Sequence, residues 1–184
     1  MKSIKLFFVA LGIALLTGCG SLPGSGDSSS SNLDPRSTRD KWNDSNIEFS
    51  IVGIGNKAPY RGQARISASS YDGTVVLIGQ SSTEELLNQF EKEARSVDGV
   101  KTIHNQVRIK APLSVTEISA DSWITTKVKS ALLAEKALDG LQVKVITEDK
   151  EVFLLGYVTK EQADKATEVA RNISGVKQVI RAFQ

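Results

Sequence analysis

Asp72-Gly73-Thr74-Val75-Val76-Leu77-Ile78-Gly79 and Asp149-Lys150-Glu151-Val152-Phe153-Leu154-Leu155-Gly156 are two versions of one pattern. Each has a turn pair, an unbroken apolar run of strand length and a closing glycine. The likeness continues, with Ala94-Arg95 matching Ala170-Arg171 and Gly99-Val100-Lys101 matching Gly175-Val176-Lys177. Self-similarity held over such a distance marks a duplicated module. The copies are expected at residues 40–110 and 117–184, with Ala111-Pro112-Leu113-Ser114 as a short join.

Outward from these strands, periodicity gives the order of elements. Ser82-Thr83-Glu84-Glu85 and Thr159-Lys160-Glu161-Gln162 read as capping boxes. The helices they open carry apolar positions at Leu86, Phe90, Ala94 and Val97, and at Ala163, Ala166, Ala170 and Ile173. Gly99 and Gly175 stand where left-handed C-terminal caps are wanted, and strand-forming runs follow each. Earlier in each copy lie two strands, 64–70 with 74–78 and 141–147 with 151–155. Asp72-Gly73 is a strong hairpin signal and Asp149-Lys150 a weaker one. A further helix opens each copy, faint around Trp42 to Val52 and clear from about Ser122 to Glu135, with Asp121 available as its N-cap.

Each module thus reads helix, strand, strand, helix, strand. That order, the module size and the glycine-bounded strands resemble the BON domain. The resemblance implies an α+β fold of two tandem BON domains, each packing two helices on a three-stranded sheet. One departure is expected. Trp42 to Gly79 spans 37 residues against 33 from Trp123 to Gly156, which suggests an insertion near Asn56-Lys57-Ala58-Pro59 and a short or irregular first helix. Modules of this size without disulfides gain from a shared interface, so the two are expected to pack together.

At the N-terminus, Lys2 and Lys5 precede an apolar run from Leu6 to Leu16. That is a signal peptide (residues 1–18), too short to span a bilayer. Leu16-Thr17-Gly18-Cys19 resembles a bacterial lipobox, which implies cleavage before Cys19 and acylation of its thiol. Gly20 follows, where enterobacterial lipoproteins held in the inner membrane carry Asp, so sorting to the outer membrane is implied. Cys19 is the single cysteine, which excludes disulfides within the chain. Residues 19–39 are rich in Ser, Gly, Pro and Asp and read as a tether. Two BON modules behind a lipobox and tether resemble the dual-BON outer-membrane lipoproteins, in which the second domain is associated with anionic phospholipid.

The chemistry on offer is sparse. The chain has 23 Lys and Arg, 21 Asp and Glu and one His; removing Lys2 and Lys5 with the signal leaves a formally neutral mature chain. Nothing there suggests nucleic acid. His104 lies in a strand pattern, carboxylate pairs such as Glu84 and Glu85 suit a helix N-terminus, and Gly53-Ile54-Gly55 lacks the rest of a phosphate loop. No catalytic residue, metal site or cofactor is expected.

The candidate site is the opening helix of the second copy. Ile124, Val128, Ala131 and Leu132 form a core stripe, leaving Trp123 at its edge and Leu133 well off it, with Lys127, Lys129 and Ser130 beside them. Trp and Leu flanked by lysines suit a headgroup zone rich in anionic phospholipid. Trp42 at a similar place in the first copy leaves a second reading open, that both tryptophans cover cores. The first copy's helix, with Asp40, Asp44 and Glu48 against Lys41, is not expected to bind such lipid. Two functions follow: a non-enzymatic lipoprotein binding anionic phospholipid and supporting envelope integrity, or an adaptor for envelope proteins placed by its acyl chains.

Overall fold

The computed structural model describes residues 34–184. The expected signal peptide, Cys19 and most of the tether lie outside the described residues.

Two α+β modules follow one another. The first comprises α1 (Thr38–Gly55), β1 (Ala64–Tyr71), β2 (Thr74–Ser81), α2 (Glu84–Arg95) and β3 (Thr102–Ile109). The second comprises α3 (Val115–Ala134), a 3-10 turn (Lys136–Leu138), β4 (Lys144–Glu148), β5 (Glu151–Gly156), α4 (Lys160–Arg171) and β6 (Gln178–Phe183). In each sheet the central strand, β2 or β5, pairs antiparallel with its hairpin partner and parallel with the strand that returns after the helix. Both central strands read as continuous apolar runs because both of their faces are covered.

The opening helices differ from expectation in length and caps. α1 is neither short nor irregular; it runs 18 residues from an N-cap at Ser37 with Asp40 completing a capping box. α3 starts seven residues before Ser122, capped by Ser114 with Glu117, and Asp121 lies inside it as a buried residue. Ser37 and Ser114, Asp44 and Asp121, and Gly79 and Gly156 are each 77 positions apart. Hence no insertion separates the copies over this stretch. The tryptophans had suggested one because they are not equivalents: the counterpart of Trp123 is Asn46, and that of Trp42 is Ser119. At α2 the cap is Thr83, whose hydroxyl accepts the Leu86 N–H, and Ser82 is not part of it. The capping box at Thr159 and Gln162 is present.

Asp44 and Asp121 repeat one device, a helix carboxylate that accepts the N–H groups of the neighbouring hairpin turn. Asp121 accepts from Asp149 at 2.8 Å and Lys150 at 2.9 Å. Those two turn residues have φ of 52° and 63°, a left-handed conformation costing a residue with a side chain roughly 1–2 kcal/mol. The carboxylate explains why Asp149-Lys150 turns as tightly as Asp72-Gly73. Asp44 accepts from the Asp72 and Gly73 N–H groups, the Ser70 hydroxyl and the Arg36 guanidinium. Burial works to raise the pKa of Asp44, but these donors together hold it below the ordinary carboxylate value.

Strand alternation sends Val75 and Leu77 toward α1 and α2, and Val152 and Leu154 toward α3 and α4. The intervening residues, Val76 and Ile78 with Phe153 and Leu155, form a third cluster that joins the two sheets. The layers therefore run helices, sheet, sheet, helices, and the modules share a core as expected. Gln80 and Tyr157 are equivalent positions, as are Tyr71 and Glu148. Gln80 Nε2 donates to Glu148 Oε1 at 2.9 Å, while the Tyr71 and Tyr157 rings lie 5.9 Å apart. Equivalent residues thus exchange roles across the interface, as in an isologous dimer. The buried Glu148 carboxylate also takes the Arg65 guanidinium. Lys144 with Glu48, Arg108 with Glu151 and Lys110 with Asp149 ring the margin. Arg36 lies 4.2 Å over the Tyr71 ring and 5.6 Å from that of Tyr157. Its ion pair with Asp34 draws that carboxyl down to about 2, so the chain is pinned where it enters the fold.

Candidate membrane-binding surface

α3 is positioned by one buried stripe, Asp121, Ile124, Val128 and Leu132, at spacings that keep a single helix face on the sheet. Ile124 packs against the turn at Gly175, where an added Cβ would stand 3.3 Å from its side chain. With that face fixed, the rest of the helix has no choice but to face outward. Trp123 is 64% exposed and Leu133 82% exposed, which settles the choice between an exposed and a core tryptophan. Lys129 and Ser130 are exposed beside them. Lys127 is half-buried, and its ammonium donates to the Ser174 carbonyl oxygen, leaving two of its three N–H donors for anything outside.

The free charge on α3 itself is one-sided. Glu117 is folded into the cap with Ser114, Asp121 is buried on the hairpin turn, and α3 carries no further carboxylate. Glu135, just past its end, lies 3.4 Å from Lys165. A phosphate approaching Trp123 and Leu133 therefore meets Lys129 and Lys127 without an opposing free acid on the helix. Val115, at 80% exposure, extends the apolar line toward the N-terminus of α3. Five helical turns separate it from Leu133, which places both on one side. Sequence reasoning missed it because it started the helix at Ser122; the Ser114-x-x-Glu117 spacing was the available signal.

α1 carries its own exposed apolar line, Trp42, Phe49 and Val52, the first two at 67% and 79% exposure. The acids counted against this helix are engaged internally: Asp44 holds the turn, Glu48 pairs with Lys144, and Asp40 caps. His104 is exposed on β3. Among the described residues no cluster of three His, Cys, Asp or Glu could hold a metal, and no helix is long and apolar enough to cross a membrane.

The model of the BON domain matches residues 43–111 and again 120–184. The chain belongs to the BON-domain family. It is 36% identical to the outer membrane lipoprotein DolP of Haemophilus influenzae, over 100% of this chain and 97% of that one. It is also 41% identical to the 21 kDa hemolysin of Actinobacillus pleuropneumoniae, over 82% of this chain and 78% of that one. A solved structure of CdsD, a structural protein of the type III secretion system of Chlamydia trachomatis, covers 76% of this chain and 62% of its own at 20% identity and a TM-score of 0.30. The full-length kinship places this BON protein among the lipid-anchored lipoproteins of the outer membrane. The Haemophilus relative is named as an outer membrane lipoprotein.

Proposed function

We propose that the protein is acylated at Cys19, faces the periplasm and acts without catalysis, binding anionic phospholipid through α3 of its second BON domain and so supporting envelope integrity. The observation that carries this reading is the outer face of α3, where Trp123 and Leu133 stand exposed beside Lys127, Lys129 and Ser130 on a helix whose carboxylates are all engaged. A Trp and a Leu leaving water contribute roughly 1.5–3 kcal/mol each, and each lysine about 1 kcal/mol at an anionic surface. For a free domain that is weak binding. For a domain held at the membrane by acyl chains, the tether raises the effective lipid concentration and weak contacts decide where it rests.

The second reading, an adaptor for envelope proteins, is favoured by a different observation, the exposed line of Trp42, Phe49 and Val52 on α1. One experiment separates the two. In a soluble form lacking Cys19 and its acyl chains, Glu placed at 123 or 133 leaves the buried stripe of α3 intact, so the fold persists by circular dichroism while co-sedimentation with phosphatidylglycerol vesicles is lost. Retention of vesicle binding by both variants overturns the lipid reading and leaves the adaptor.

A further inference from the structure

Beside the exposed end of α3 the second domain holds an open cleft of about 370 Å³. Its walls are aliphatic: Leu132 and Leu133 from α3, Leu138 and Leu141 from the segment that follows, Val143 just before β4 and Val145 within it. Lys129 and Asp139 stand at its rim. Lys129 is exposed, and its ammonium has no hydrogen bond or ion pair among the described residues. Leu133 and Lys129 therefore belong both to this cleft and to the face proposed to lie on the membrane.

The first domain shows what closes such a place. In its corresponding loop, between α1 and β1, Tyr60 is 1% exposed, packs edge-on against Phe90 with ring centroids 5.2 Å apart, and donates its hydroxyl to Glu93 at 2.7 Å. The second domain has Leu138 in its loop and Ala166 at the helix position of Phe90. Neither side chain has a ring to seal the loop or a hydroxyl to tie it to the helix. A volume of this size falls in the range that encloses small apolar ligands, and a single polar anchor at the rim is the usual way such a site orients its occupant.

We infer that this cleft takes one acyl chain of an anionic phospholipid, with the headgroup phosphate held over Lys129. The inference rests on the proposed lipid-binding role of α3 and deepens it: the helix does not merely lie on the surface but draws a lipid chain out of the bilayer's packing and into the domain. The occupant is argued from the aliphatic walls, from the unpaired cation at the rim and from continuity with the Trp123 and Leu133 face. Asp139 stands at the same rim and repels a phosphate, so the headgroup is directed to the Lys129 side of the cleft.

The test uses the full lipidated protein reconstituted into vesicles of phosphatidylglycerol bearing a photoactivatable diazirine near the end of one chain, with labelled residues mapped by mass spectrometry. Labelling at Leu138, Leu141 and Val143 supports the inference, and plugging the cleft by Leu138→Tyr should reduce it roughly tenfold while labelling at Trp123 persists. Val143→Phe serves as a second plug should Leu138→Tyr fail to fold, and the labelling map of the unaltered protein decides independently of both. Labelling at Trp123 with none at Leu138, Leu141 or Val143 overturns the cleft and leaves the surface reading standing. No labelling anywhere in the second domain overturns both.

Discussion

Removing the carboxylate of Asp121 tests how far a helix dictates a strand turn. In Asp121→Ala the N–H groups of Asp149 and Lys150 lose acceptors now at 2.8 and 2.9 Å. Hydrogen bonds to a charged group contribute roughly 1.5–3 kcal/mol each. The turn lies at the margin of the fold, where water replaces part of what is lost, so the lower end applies and the total is about 2–4 kcal/mol. At roughly 2–4 °C per kcal/mol for a chain of this size, Tm should fall by about 5–15 °C. Lys150→Gly in the same background should recover about 1 kcal/mol, because glycine takes φ near 63° without the penalty borne by a side chain. Urea unfolding followed by circular dichroism measures both changes. A loss below about 0.5 kcal/mol for Asp121→Ala would refute the reasoning and mean that the hairpin holds its turn unaided.

Gly79→Ala should be among the most damaging single changes, since an added Cβ would sit 2.0 Å from the Arg65 carbonyl oxygen on the paired strand at φ of 143°; loss of folded yield and of cooperative melting would show it. Phe153→Ala empties the shared core between the sheets and should cost about 3–5 kcal/mol, with NMR relaxation revealing modules that tumble more independently. Acid should weaken the anchoring of the chain at Arg36. Asp34 and Asp44 have lowered folded pKa values, so their contribution is present above the ordinary carboxylate range and is lost as pH falls, for Asp34 between about 3.8 and about 2. Stability measured across that window should drop in the unaltered protein, and by less in Asp34→Asn.

Much of this architecture is legible without coordinates because duplication states it twice. The apolar runs at 75–78 and 152–155, each closed by a glycine, announce central strands covered on both faces. The α2 and α4 helices carry strong amphipathic patterns and clear starts. The opening helices were harder because their buried faces are partly polar: Asp44 and Asp121 occupy core positions that a search for apolar spacing skips. Taking the two tryptophans as equivalents then produced an insertion that does not exist. The Ser37-to-Asp40 and Ser114-to-Glu117 spacings would have set the register correctly. At the candidate surface, the angles on the α3 helix placed Trp123 and Leu133 outside, but could not reveal that the Lys127 ammonium turns inward to Ser174 or that an aliphatic cleft opens beside Leu133. Both depend on how the segment after α3 and the turn after α4 fold back, which no local pattern states.

The central claim is that Trp123 enters a bilayer carrying negative charge. It is tested most directly by the fluorescence of Trp123 in a Trp42→Phe background, where it is the remaining tryptophan of the two. Added phosphatidylglycerol vesicles should shift its emission to shorter wavelength, phosphatidylcholine vesicles should not, and raising salt should reverse the shift as the lysines are screened. An emission unchanged by anionic vesicles would contradict the account.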